Sequence, residues 1–191
     1  MLSPAMETPD TETPRQREVQ RRFDRCADDS DAAEFLFAAS RTGLLDRLQP
    51  MQLEVERVLI LGAGTGALNR ELGKRFRGSQ LFGLDLSLNM LQRNRRASSL
   101  FSRNKVLQAN AQAIPLKDGT VDVVIANLLL PWIADLPKLF HEIARVLRKD
   151  GLFAFAALGP ESLRELRNAF QEDAPAHVRE FADMHNVGDT L

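Results

Sequence analysis

Three glycines at alternate positions, Gly62, Gly64 and Gly66, follow the apolar run Val58–Leu61 and precede a helical stretch from Ala67. A chain passing from a buried strand into a helix through such a loop can lay its backbone against a ligand. Glycine has no Cβ to stand in the way and tolerates sharp turns. The helix start that follows presents unpaired N–H groups and positive potential to a polar or negatively charged group. Asp85 stands nineteen residues after Gly66 and closes the second apolar run, Gln80–Asp85. A carboxylate there can accept hydrogen bonds from both hydroxyls of a ribose. Its rival duty is to cap the helix over 87–96, for which Ser87 is better placed.

The loop and Asp85 alone fit either a dinucleotide or S-adenosylmethionine (SAM), since Gly62, Gly64 and Ala67 also meet the G-x-G-x-x-A dinucleotide pattern. Other chemistries lack their residues. His141, His177 and His185 have no metal-ligand spacing, so no metal is expected. The chain contains no Ser-His-Asp arrangement, no G-x-S-x-G and no Walker loop. Cys26, the one cysteine, excludes a disulfide framework and a cysteine zinc cluster and fits a reducing compartment.

A scaffold for these residues is legible in the surrounding pattern. Short apolar runs at 57–61, 80–85, 105–109, 121–126 and 152–158 suit strands buried on both faces. Helical signals over 67–76, 87–96 and 136–147 alternate with them. This predicts an α/β, doubly wound, parallel sheet with right-handed crossovers. Before it, Val19, Phe23 and Cys26, then Phe35, Leu36, Leu44, Leu45 and Leu48, predict N-terminal helices that end at Pro50. After it, a helix is expected from Pro160, with Leu163, Leu166 and Phe170 on one face. The expected organisation is a disordered tail at 1–13, an N-terminal helical region at 14–50, the ligand-binding core at 51–171 and a C-terminal extension at 172–191.

Composition narrows the setting. The 191 residues are 44% hydrophobic and 27% charged, with 25 Lys and Arg against 26 Asp and Glu. That balance argues against a nucleic-acid binder. The longest apolar stretch, Val121–Ile133, is broken by Asp122, Asn127 and Pro131, and the N-terminus has no apolar signal core. A cytoplasmic, membrane-free protein is expected.

Taken in order, LGAGTG, GLDLSLNML and NAQAIPLKDGTVDVVIANLLLPWIADLPKLFHEIARVLRKDG resemble a class I SAM-dependent methyltransferase over residues 57–158. FDRCADDSDAAEFL, ALGPESLRELRNAFQ and HVREFADMHNVGDTL further resemble the malonyl-acyl carrier protein O-methyltransferases of biotin synthesis. The resemblance implies a Rossmann-like fold, with SAM as co-substrate and malonyl-acyl carrier protein as partner. It places Gly62, Ala63, Gly64 and Gly66 along the methionine and ribose, and Asp85 on the ribose hydroxyls. Leu86 and Met90 would lie near the adenine, Asn110 and Ala111 at its amino group, and Asn127 and Leu128 beside the methyl group. Trp132 would stand on the substrate side or belong to the core. Arg164, Arg167 and Arg179 are candidates for orienting the acceptor carboxylate.

The chain also departs from that family's pattern. Ile60 replaces an acid that holds the loop and the methionine ammonium, Asn110 replaces Asp, Ser30 replaces a site-covering Tyr, and Pro131 replaces Gln. Lys149-Asp150 replaces Pro-Gly, and the resemblance implies two further strands, so the sheet is expected to lack its final strands. A non-catalytic protein of this fold, or a different reaction such as that of the related mitochondrial complex I assembly hydroxylases, is the alternative. Two basic groups, Arg15, Arg17, Arg21, Arg22 and Arg25, and Arg93, Arg95, Arg96, Arg103 and Lys105, are either solvated helix faces or a docking surface for an acidic carrier protein.

Overall fold

A computed structural model describes residues 14–28, 34–97, 104–170, 181 and 183–191. The expected tail at 1–13, Ser30, Arg103, His177 and Arg179 lie outside the described residues. Helices α1 (Pro14–Cys26) and α2 (Glu34–Leu48) lead into β1 (Arg57–Leu61), α3 (Ala67–Arg75), β2 (Gln80–Asp85), α4 (Leu88–Ala97) and β3 (Asn104–Gln108). Then follow β4 (Val121–Asn127), a short 3₁₀ turn at Leu130–Trp132, α5 (Leu136–Val146), β5 (Leu147–Ala156), α6 (Arg164–Phe170) and α7 (Met184–Gly188).

The five strands are all parallel, in the order β3-β2-β1-β4-β5. Because β1 sits centrally, both its faces must be apolar, and Val58, Leu59, Ile60 and Leu61 are each fully buried. Its side chains alternate between two cores. Leu59 and Leu61 join Val124, Leu139, Phe140 and Ile143 of the α5 face, whereas Val58 and Ile60 join Leu44, Leu48, Leu68 and Leu72 of the α2–α3 face. Each such side chain contributes about 1.5–3 kcal/mol on burial.

Three expectations need correction. The helix expected from Pro160, α6, begins at Arg164, because Leu163 takes a left-handed φ of 58° that a helix cannot propagate. Its face of Leu163, Leu166 and Phe170 is exposed, at 39%, 45% and 38%. Phe35, read as part of the apolar stripe of α2, is 79% exposed, since α2 turns Leu44 and Leu48 to the core instead. Finally, β5 begins at Leu147, earlier than the run 152–158. Its pairing with β4 jumps from Leu147 opposite Val121 to Leu152 opposite Val123, and the bulge so formed holds Asp150 at φ 60°. The Lys149-Asp150 turn is therefore an insertion within a strand.

Polar groups tie the layers, Asp122 among them buried. Asp122 of β4 accepts from the backbone N–H groups of Glu56 and Arg57 at 2.6 and 2.7 Å and pairs with Arg148 at 3.0 Å, pinning the entry of β1. Arg145 of α5 donates to the carbonyls of Ile114 and Leu116 and pairs with Glu142 and Asp118, so one guanidinium clamps the loop after β3. No helix among the described residues is long and apolar enough to cross a membrane.

Candidate functional site

The C-terminal ends of β1, β2 and β4 open onto one cavity of about 290 Å³. This is where a doubly wound sheet leaves room for a ligand, because the crossovers from β1 and β4 leave toward opposite faces. Gly62, Ala63, Gly64, Asp85, Leu86, Met90, Asn110, Ala111, Asn127, Leu128 and Trp132 all line it.

Gly62, Gly64 and Gly66 have φ of 65°, 52° and 88°, the left-handed region that disfavours a side chain. At Gly64 a Cβ would meet no atom within 4 Å, so this glycine leaves the cavity open to an approaching ligand. Gly66 does something else: it lies off the cavity wall and begins α3. A Cβ there would lie 2.5 Å from Asn94 Oδ1.

Asn94 belongs to a ring of amides beneath the loop. Its Nδ2 donates to Asn69 Oδ1 at 3.3 Å, Asn69 Nδ2 donates to Asn104 Oδ1 at 2.9 Å, and Asn104 Nδ2 donates back to Asn94 Oδ1 at 2.9 Å. The ring joins α3, α4 and β3 under the glycines, and Gly83 of β2 leaves room for it: a Cβ there would lie 2.9 Å from Asn69 Nδ2.

Asp85 accepts from Gly64 N–H through Oδ2 and from Ser87 N–H through Oδ1, each at 2.9 Å. Burial pushes its pKa above the ordinary aspartate value, against the lowering effect of these backbone donors. Ser87 performs the capping, accepting from Met90 N–H at 3.1 Å, and donates its own proton to Asp24 of α1 at 2.6 Å. Asp85 thus fixes both the loop and the entry to α4 while facing the cavity. Asn110 is also committed in part, since its side-chain oxygen accepts from Gln112 N–H at 2.9 Å.

Asn127 is engaged by α2, its Oδ1 accepting from Ser40 Oγ at 2.8 Å and its Nδ2 donating to the Phe37 carbonyl at 3.2 Å. Leu128, buried, holds a φ of 55°, backbone strain of the kind found at sites. Trp132 packs edge-to-face on Phe23 with centroids 4.8 Å apart, closing the cavity between the 3₁₀ turn and α1.

The acceptor arginines fare differently. Arg164 pairs with Glu161, and Arg167 donates to the Pro160 and Ser162 carbonyls; neither lines the cavity. Among the described residues the arginine that does is Arg41, bound to Glu34 and Glu71 at 2.7 Å each. These acids hold its pKa above the ordinary value although burial opposes them. Glu34, Phe37 and Arg41, spaced i, i+3 and i+7 on α2, were absent from the sequence-derived site. That spacing marks one helix face, but nothing local tells which surface the face meets. Among the described residues no cluster of three or more His, Cys, Asp or Glu could hold a metal.

The strand order, the glycine loop and the acid ending β2 define the class I, Rossmann-like methyltransferase fold. The chain belongs to the methyltransferase domain family, whose model matches residues 59–155. It is similar to the malonyl-[acyl-carrier protein] O-methyltransferase of Methylovorus sp. (strain MP688), 39% identical over 91% of this chain and 61% of that protein. It also resembles that of Halorhodospira halophila, 40% identical over 91% of this chain and 59% of that one. The chain thus spans about three-fifths of the curated relatives it matches. Among solved structures, the putative methyltransferase bound to the Haloferax volcanii Trm112 activator superposes with a TM-score of 0.69 at 25% identity, covering 88% of this chain and 75% of that one.

Proposed function

We propose that this chain uses SAM to methylate the free carboxylate of a malonyl group carried on acyl carrier protein, a step of biotin synthesis. The observation that carries the reading is identity of 39–40% with malonyl-[acyl-carrier protein] O-methyltransferases over nine-tenths of the chain. The cavity suits the co-substrate. Gly64 leaves its backbone open, Asp85 can accept from a ribose diol, and Leu86, Met90 and Ala111 offer an apolar slot for a purine. Bound SAM supplies an electrophilic methyl group on a sulfonium, and its transfer to a carboxylate oxygen leaves a neutral thioether.

A malonyl carboxylate is ionised at neutral pH, so the residues need not remove a proton; no base is called for. Their work is to align the carboxylate and keep water out. Leu129, Ile133 and the Phe23–Trp132 pair make the apolar wall for that purpose. Arg17, Arg21, Arg22 and Arg25 of α1, and Arg95, Arg96 and Lys105 on and beside α4, are exposed and would meet the acidic carrier protein. Arg93 is set back from that face, half-buried and bonded to the Ala27 carbonyl and Asp28, whereas Arg22 stays exposed on its pair with Glu18. The test is incubation with SAM and malonyl-acyl carrier protein, followed by intact-mass measurement. A gain of one methyl on malonyl-acyl carrier protein, absent with acetyl-acyl carrier protein, is expected; methylation of neither would overturn the reading.

A further inference from the structure

The cavity wall holds two acids and one cation among the described residues: Asp85, Glu34 and Arg41. Asp85 is spoken for by the loop and the diol. Glu34 and Arg41 lie together on α2, and both face the same space as Gly62–Thr65. The Arg41 side chain is only 10% exposed, and a guanidinium so deeply placed beside an apolar cavity calls for a compensating partner. Its Nε is bound by Glu71 and its Nη2 by Glu34, which orients the remaining Nη1 edge without using it. Glu71 does not line the cavity and holds Arg41 from behind. Ile60 supplies no charge here: it is fully buried among Leu44, Leu48 and Leu72, off the cavity wall.

An acid and an arginine side by side at the rim of a nucleoside cavity match a zwitterion. We propose that Glu34 and Arg41 form the subsite for the amino-acid end of the bound ligand, Glu34 receiving the ammonium and Arg41 the carboxylate. This rests on the SAM reading above. It moves the ammonium partner from the strand β1, where position 60 is apolar, to the first turn of α2. There a side chain 38% exposed can reach the cavity without entering the core.

Trp132 is the one tryptophan of the chain and lines the cavity, so its fluorescence reports occupancy directly. The experiment titrates the full chain with S-adenosylhomocysteine, which has the amino-acid end, and with 5′-methylthioadenosine, which lacks it. In Glu34→Gln the first should bind about tenfold more weakly and the second within about twofold of the unsubstituted chain, as expected for losing one charged hydrogen-bond acceptor. Arg41→Lys, which keeps the charge and loses the fork, should shift the same ligand in the same direction. Circular dichroism and melting temperature confirm folding, and Glu34→Gln alone decides the matter should Arg41→Lys unfold. Unchanged S-adenosylhomocysteine affinity, or equal weakening of both ligands, overturns the subsite. Failure of the folded, unsubstituted chain to bind either ligand overturns the SAM reading itself, and the subsite with it.

Discussion

Gly66 and Asn94 are locked together by shape: the hydrogen at Cα of one occupies the space immediately against the side-chain amide of the other, where a methyl would stand 2.5 Å from Oδ1. The amide cannot retreat cheaply, because Asn69 and Asn104 hold both its ends. Gly66→Ala should therefore destabilise the protein by about 2 kcal/mol or more, from the collision and from a φ of 88° that alanine resists. Chemical denaturation of Gly66→Ala, Asn94→Ala and the double variant separates the two causes. The double variant should recover the steric part only, giving a coupling energy that shared strain without contact would not produce.

Asp85→Asn should abolish most SAM binding, read by calorimetry as a loss of about tenfold or more. The amide keeps the shape but gives up one of the two acceptor oxygens that serve Gly64, Ser87 and the diol. Burial raises the pKa of Asp85, so its carboxylate takes up a proton at a higher pH than an ordinary aspartate and affinity should fall as pH drops toward that raised value. Affinity unchanged by the substitution would move the diol contact elsewhere.

Glu142→Gln should cost about 1–3 kcal/mol at neutral pH, because Glu142 pairs with Arg145 at 2.7 Å and accepts from Ile114 N–H at 2.7 Å. The Arg145 hydrogen bond holds the Glu142 carboxyl below the usual range. Its stabilisation is thus complete above the unfolded pKa and is lost as pH falls through the lower folded value. Melting curves across the acid range should converge for the two proteins as pH falls. A constant gap would show that the carboxylate charge is not what matters.

Asp150→Gly should raise stability by about 0.5–1 kcal/mol. Asp150 sits at φ 60° and is exposed, so glycine removes strain without removing a buried contact. A lower melting temperature would mean that the bulge between β4 and β5 needs the carboxylate.

Charge reversal at Arg21 and Arg22, or at Arg95 and Arg96, should slow association with malonyl-acyl carrier protein while leaving the melting temperature within a degree or so, since these side chains are exposed. Stopped-flow rates should also fall steeply with added salt. Rates indifferent to salt and to both reversals would leave these arginines as solvated faces.

The parts legible in the sequence were those governed by local pattern. The bounds of β1 and β2 match the apolar runs because each run is buried on both faces and ends at a residue with its own work, Gly62 or Asp85. The glycine loop was legible because its geometry is set by backbone sterics within a few residues. The roof of the cavity was not. Glu34 and Arg41 read as ordinary charges on a helix, and only the docking of α2 against β4 and β5, with Ser40 on Asn127, brings them to the ligand space. Arg164 and Arg167 lie off the cavity wall for a similar reason: they satisfy their own turn instead of reaching inward. Likewise, Phe35 belongs to an apolar spacing whose outward member only the tertiary contacts reveal.

Asp24 reaches from α1 into the start of α4, accepting from Ser87 Oγ at 2.6 Å and from Asn89 N–H at 3.2 Å, and its carbonyl accepts from Asn89 Nδ2 at 3.1 Å. The helix that carries Phe23 onto Trp132 is thereby fastened to the helix start that follows Asp85. Were α1 to lift, the Asn89 amide would lose Asp24 as its acceptor while the Met90 amide would keep Ser87 Oγ, so the deuterium exchange of Asn89 relative to Met90 would report that motion.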